Sequence, residues 1–314
     1  MMNVKYCKYI AICILIIIAG LNFNKNNVFI NNNHNIPLSK SEGIEKKCDD
    51  KKEKFYKNIM GIIQSYSQKD SAKYSVYIKL LDNKMDAIVY QNTKMRAASM
   101  IKVFIMAKAF EDVKNGLLNL EKNITLTSNM KVGGAGSLNQ WENGSTISVE
   151  KLLIMMITES DNTATNILID LLGMDRINQY IKVNGYDMSV LQRKMMDFES
   201  VEQGKENYTS VDDIGEFFSN LYYRQCVNAE YDEKMMEILF LQTDKECLPA
   251  ALPKYKIAHK TGELTGLYHD GGIVFSQNNK YILCIFTDEQ SDRSYSISNI
   301  KQLAKTIDEA ITNL

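Results

Sequence analysis

The stretch Ser99-Met100-Ile101-Lys102-Val103-Phe104-Ile105-Met106-Ala107-Lys108-Ala109-Phe110 sets a serine at the head of a run that is apolar on nearly every side. Such a run predicts a helix buried in the middle of a domain. Residues three apart on a helix share a face, so Lys102 can reach the Ser99 hydroxyl, while free backbone N–H groups of the first turn face an incoming carbonyl oxygen. The S-x-x-K spacing alone says little, because it occurs four times, at Ser99, Ser128, Ser148 and Ser298. Ser128 precedes a Gly-rich loop, Ser148 reads as a helix cap and Ser298 lies in the polar approach to the last helix. Only the Ser99 copy opens a buried segment.

A serine hydroxyl is a weak nucleophile until a neighbour takes its proton. A lysine buried against an apolar helix is pushed towards its neutral form and can then act as that base, directly or through water. A charged Lys102 would supply only an electric field. The sequence leaves both roles open.

Two further strings follow in order, each occurring once: Ser160-Asp161-Asn162, which Leu152-Leu153-Ile154-Met155-Met156 runs into, and Lys260-Thr261-Gly262 on a strand-like run. S-x-x-K, S-D-N and K-T-G in this order form a named signature. From about residue 55 to residue 314 the chain resembles the class A serine β-lactamases, members of the penicillin-recognising serine hydrolases. The resemblance implies Ser99 as nucleophile, Lys102 as its activating partner and Ser160 as the relay of a proton to the leaving nitrogen. Asn162 would hold the amide side chain of the substrate, and Lys260 and Thr261 its carboxylate. The backbone N–H groups of Ser99 and of Glu263, just past Gly262, would form the oxyanion hole. Asp161 would anchor the loop. The substrate implied is a small-molecule β-lactam or a cell-wall peptide, with no cofactor.

One departure bears on turnover. Class A β-lactamases carry a glutamate in an E-x-x-L-N string after S-D-N, and no such string occurs here. Anchoring the corresponding stretch on Arg193 puts Met195 where the glutamate would stand, and leaves Asp197, Glu199 and Glu202 as substitutes if the loop folds differently. Each of the three reads first as a solvated surface carboxylate. Ser99 and Lys102 suffice to form an acyl-enzyme, but release also needs a base set against a water, an effect of about 10²–10⁴-fold. Three functions follow: a β-lactamase, a penicillin-binding-like D,D-peptidase, or a slow-turnover protein that binds β-lactams or peptidoglycan.

Composition narrows the alternatives. With 45% hydrophobic and 24% charged residues among 314, the chain has ample length for a core, and its net charge of -1 gives no reason to expect a nucleic-acid partner. His34, His259 and His269 are not grouped like metal ligands, nor do the six cysteines have zinc-site spacing. A metal-dependent route is disfavoured. The loop Val132-Gly133-Gly134-Ala135-Gly136-Ser137 lacks the strand and lysine of a phosphate loop. It reads as a surface loop, and the resemblance sets it at the mouth of the site.

Lys5 and Lys8 precede the apolar run Tyr9 to Leu21, which predicts a signal peptide or N-terminal membrane anchor over residues 1–21. Residues 22–54 are polar and read as a flexible tether that leads to a catalytic domain over residues 55–314. The domain is thus expected outside the cytoplasm, as a monomer, secreted or tethered to the membrane. In an exported protein Cys226 and Cys247 can pair, whereas Cys284 belongs to a buried strand.

The fold expected is α/β, of the α+β kind. Helix at Phe55 to Ser67 precedes strand-like Tyr74 to Leu80 and Ala87 to Tyr90, joined through Asp82-Asn83. Near the other end come Tyr255 to Lys260, Gly271 to Phe275 and Tyr281 to Phe286, the last two joined at Asn278-Asn279, and then a helix over Ile300 to Ile311. An antiparallel sheet built from both chain ends, with flanking helices and an inserted all-helical subdomain, would place the cleft at their junction.

Overall fold

Five strands from the two ends of the chain make the central sheet of the computed structural model, which describes residues 38–69, 71–82, 85–277 and 279–314, with side chains from Asp50 onward. In chain order the strands are β1 (Lys73–Leu80), β2 (Ile88–Tyr90), β3 (Met95–Arg96), β4 (Asn123–Thr125), β5 (Thr146–Ser148), β6 (Tyr208–Thr209), β7 (Lys256–Leu264), β8 (Leu267–Phe275) and β9 (Lys280–Asp288). The central sheet has the order β2-β1-β9-β8-β7 with every neighbour antiparallel, and β3–β6 and β4–β5 form two small separate ladders. This is the sheet expected from both chain ends. It leaves β7, the strand of Lys260-Thr261-Gly262, on an edge.

Both faces of the sheet are covered, which is why Tyr281 to Phe286 reads as an unbroken apolar run rather than an alternation. Side chains still alternate faces along each strand. Val76, Ile78, Leu283 and Ile285 join Ile59 and Ile63 of the Leu38–Ser67 helix and Ile300, Leu303 and Ile307 of the Arg293–Thr312 helix in one buried cluster. Tyr77, Cys284 and Phe286 join the other cluster, made mainly by the inserted helices. Phe104, Tyr186 and Phe217 lie at its heart, with ring centroids 4.8 Å and 5.7 Å apart for the two pairs involving Phe104.

Helix ends depart most from the sequence expectation. The first helix begins at Leu38, inside the stretch read as tether. Its Lys- and Glu-rich composition favours helix despite being polar, and Glu53 and Lys57 pair across one turn. The last helix begins at Arg293 and so contains Ser298, because Asp292 caps it by accepting the Tyr295 N–H at 3.0 Å. Ser148 caps the Val149–Thr158 helix as expected, accepting the Lys151 N–H at 3.2 Å.

The cysteine pairing is corrected. Cys226 and Cys247 are both free and buried, Cys226 in the helical cluster and Cys247 in the cluster across the sheet. The sheet between the two clusters is what sequence spacing could not show. Residues 1–37, with the leader, and the turn residues Asn83 and Asn278 lie outside the described residues. Among the described residues no helix is long and apolar enough to cross a membrane.

Candidate active site

Ser99 lies in a 3-10 turn, Ala98–Ile101, that leads into the Lys102–Lys114 helix. The turn is pressed against β7. A Cβ on Gly262 would lie 3.1 Å from Met100 Cγ and 3.2 Å from the Ala97 carbonyl, so the glycine is what lets the strand approach the Ser99 turn. Ala98, immediately before Ser99, has φ +45°, and Ser160 has φ +56°. Such left-handed conformations in non-glycine residues concentrate where the surroundings over-determine the backbone, as they do at active sites.

Lys102 is completely buried. Its Nζ donates to the Ser160 carbonyl at 2.6 Å and to Asn162 Oδ1 at 3.0 Å, and lies 3.2 Å from Ser160 Oγ. Among the described residues no hydrogen bond joins it to Ser99 Oγ, contrary to the simple reading of the i, i+3 spacing. The Lys102 amine is drawn instead to the acceptors of the Ser160-Asp161-Asn162 turn, which come from a segment far away in sequence. Burial, helped by the nearby charge of Lys260, drives the Lys102 pKa well below the usual lysine value.

Lys260 comes from the other side and is also fully buried. It donates to Ser160 Oγ at 3.1 Å and to the Thr261 carbonyl at 2.8 Å. Burial lowers its pKa to about 7, against the opposing pull of Asp244 and Asp270. Asp270 is held in place by His259 Nδ1, 2.8 Å from Oδ1, and by the Leu248 N–H, 2.8 Å from Oδ2. The hydroxyl of Ser160 thus stands between two amines whose pKa values burial lowers. Ser99, Lys102, Ser160, Asn162, Lys260, Thr261, Gly262 and Glu263 are brought to one junction of sheet and helices.

Asp161 does not enter the cleft. Its carboxylate caps the Asn162–Leu172 helix through the Ala164 N–H at 2.8 Å and ties down the Leu138 N–H at 2.8 Å. The Gly-rich loop closes over this turn: the Ala135 carbonyl accepts the Asn162 N–H at 3.0 Å, and the Gly133 carbonyl accepts from Asn162 Nδ2 at 3.2 Å. Gly134 is required there, with φ +82° and only 2.5 Å between an added Cβ and Asn162 Nδ2.

A groove of about 200 Å³ runs past Ser99, lined by Ala135 and Asn162 on one side, Glu263 and Leu264 on β7, and Met195, Met196 and Phe198 on the facing loop. Larger depressions near Pro249 and Tyr255 lie away from these residues. Three partners of the facing loop are poorly signalled in the sequence. Asn166, one helical turn after Asn162, holds Met195 by two hydrogen bonds; Glu206 takes Arg193 Nε and Nη2 at 2.9 Å and 3.1 Å; Asn207 Oδ1 accepts the N–H groups of Gln192 and Arg193 at 2.7 Å and 3.0 Å. Asp197 is occupied in capping the Phe198–Glu202 helix, and Glu199 and Glu202 are exposed.

The fold is shared with known proteins. The chain is 22% identical over 213 residues to Beta-lactamase VEB-1 of Pseudomonas aeruginosa, covering 62% of this chain and 71% of that protein. A β-lactamase structure from Sphaerobacter thermophilus superposes with a TM-score of 0.75 at 24% identity, covering 82% of this chain and 98% of that one. PBP-A superposes with a TM-score of 0.74 at 25% identity, covering 81% and 97%; a Leu-to-Glu mutant of PBP-A, solved as an acyl-enzyme complex with penicillin G, gives 0.75 at 25%, covering 82% and 96%. The model of the beta-lactamase enzyme family matches residues 54–311, and the chain belongs to that family.

Proposed function

We propose that this protein is an exported serine hydrolase that opens β-lactam amides through an acyl-enzyme on Ser99 and releases the product slowly, in the manner of a penicillin-binding protein. The observation that carries the slow step is the groove's charge inventory. Of its lining residues only Glu206 and Glu263 bear carboxylates, and each is bound to an arginine, Arg193 and Arg293 respectively. Met195 stands where a water-activating base would be needed. The PBP-A likeness supports this reading.

In acylation Ser99 Oγ attacks the lactam carbonyl while its proton passes to neutral Lys102, directly or through water. The N–H groups of Ser99 and Glu263 stabilise the oxyanion. Neutral Lys102 spends its two N–H groups on Ser160 O and Asn162 Oδ1, which leaves its lone pair to take the Ser99 proton. Protonated Lys102, 3.2 Å from Ser160 Oγ, then passes a proton to that hydroxyl, which gives its own to the leaving nitrogen as the C–N bond breaks, while Lys260 donates a hydrogen bond to Ser160 Oγ and stays charged. The substrate carboxylate is held by charged Lys260 and the Thr261 hydroxyl. Export is supported by Lys5, Lys8 and the apolar run Tyr9 to Leu21.

Intact-mass spectrometry over seconds to hours after adding a penicillin, with Ser99→Ala as control, tests the proposal. A persistent adduct that the control lacks is expected. Rapid return to the unmodified mass, with hydrolysed drug, would make the protein a working β-lactamase instead.

A further inference from the structure

A second pocket, of about 570 Å³, opens at the head of β7, away from Ser99. It is lined by Phe240 at the end of the Ala229–Phe240 helix, Pro249 of the Leu248–Ala251 helix, Pro253 just after it and Ile257 of β7. Ile257 is buried, and the Phe240 ring packs on Phe275 with centroids 5.2 Å apart. Tyr255, also on the wall, commits its hydroxyl to Asp308 Oδ2 at 3.4 Å. The two prolines have fixed φ, so these walls are set before a ligand arrives, which lowers the cost of binding. An apolar concavity of this size is what a small-molecule site requires.

The only charged side chains on its wall are Lys245 and Lys256, both exposed. Among the described residues neither has an ion-pair partner. The carboxylates next to Lys245 in sequence are engaged elsewhere: Asp244 Oδ2 accepts the Tyr268 hydroxyl at 3.0 Å, and Glu246 holds Arg293 at 2.9 Å. Two lysines and no carboxylate thus stand over an apolar floor. A cationic ligand is repelled there, and a purely polar one leaves the floor wet.

We propose that this pocket is a second ligand site, which takes a fatty carboxylate. The head meets Lys245 and Lys256, and the tail covers Phe240, Pro249, Pro253 and Ile257. The site is independent of the Ser99 reading, since Lys256 opens β7 four residues before Lys260, about 13 Å along an extended strand. Each methylene buried on the floor strengthens binding by about fourfold. Each exposed lysine adds up to about fivefold.

Binding of dodecanoate to the full chain, below the concentration at which it forms micelles, tests the proposal. It is read by hydrogen exchange over residues 245–257, so uptake by other apolar segments does not count. Saturable slowing there is expected, with decanoate weaker by about tenfold and no slowing by dodecyltrimethylammonium. Joint Lys245→Glu and Lys256→Glu substitution should weaken dodecanoate by about tenfold or more, and Ala250→Trp, on the pocket wall, should abolish its effect. Both variants should unfold in urea near the parent midpoint, which separates lost binding from a lost fold. No slowing, equal slowing by the ammonium compound, or equal binding of the two chain lengths would overturn the assignment. A doubled mass in light scattering without ligand, with residues 245–257 already protected, would give the pocket to a second copy of the chain and overturn it as well.

Discussion

Asn166 and Met195 hold each other in a closed pair of hydrogen bonds: Asn166 Nδ2 donates to the Met195 carbonyl at 3.0 Å, and Asn166 Oδ1 accepts the Met195 N–H at 2.8 Å. A helix of the inserted subdomain thereby sets the backbone of the loop that faces Ser99. Met195 is held at the groove by the Asn166 side chain, one helical turn beyond Asn162.

Placing a carboxylate on that backbone should supply the missing base. Met195→Glu is expected to accelerate release of the penicilloyl group by about 10²-fold or more. The decay of the adduct mass, followed against the unchanged protein, measures this. Equal lifetimes would mean that the Met195 side chain does not reach the acyl carbonyl.

Removing the clamp should loosen the loop without touching the nucleophile. Asn166→Ala leaves the N–H and carbonyl of Met195 without partners, a loss of about 1–3 kcal/mol for a buried polar group. Urea unfolding should show a lowered midpoint at unchanged slope. Hydrogen exchange should rise in residues 191–207 before the rest of the domain, and uniform exchange would place the clamp's role elsewhere.

Lys260 couples stability and capture to pH in opposite directions. Burial lowers its pKa from 10.5 to about 7 in the folded state. Between those values the unfolded chain binds more protons than the native one, so the contribution to stability rises with pH across that window and is least below about pH 7. Capture of a carboxylate needs the charged form, so the second-order acylation rate should fall as pH rises through about 7. Lys260→Ala should lower the rate and erase this limb. If the limb survives the substitution, another group sets it.

The free thiols offer a test of the packing. Burial raises the pKa of Cys226, Cys247 and Cys284 above the usual thiol value. In the folded protein all three should resist a disulfide reagent such as DTNB, and all three should react once the chain is denatured. A native thiol titration that is already complete would contradict their burial.

The resemblance supplied the roles, but the three strings themselves were legible because each is short and local. A serine before a buried run, a polar S-D-N turn between two helices and a glycine after Lys260-Thr261 all depend on neighbours in sequence. The sheet was legible for the same kind of reason, since Tyr281 to Phe286 must be covered on both faces wherever it lies. Helix ends were less so: Asp292 is a plain capping residue that the apolar spacing from Ile300 onward did not reveal, and the Lys- and Glu-rich start of the first helix has no apolar period at all.

What the sequence determined by itself is therefore the family and the order of its parts, because serine turn, cap and strand are set by local backbone and side-chain properties. What only the tertiary structure decided are the partners. Lys102 turns to Ser160 and Asn162 rather than to Ser99, Lys260 meets the same Ser160 from the opposite wall, and Cys226 and Cys247 are separated by the sheet. The physical reason is range: burial and charge act across space between elements far apart in the chain, and no spacing within a string records them.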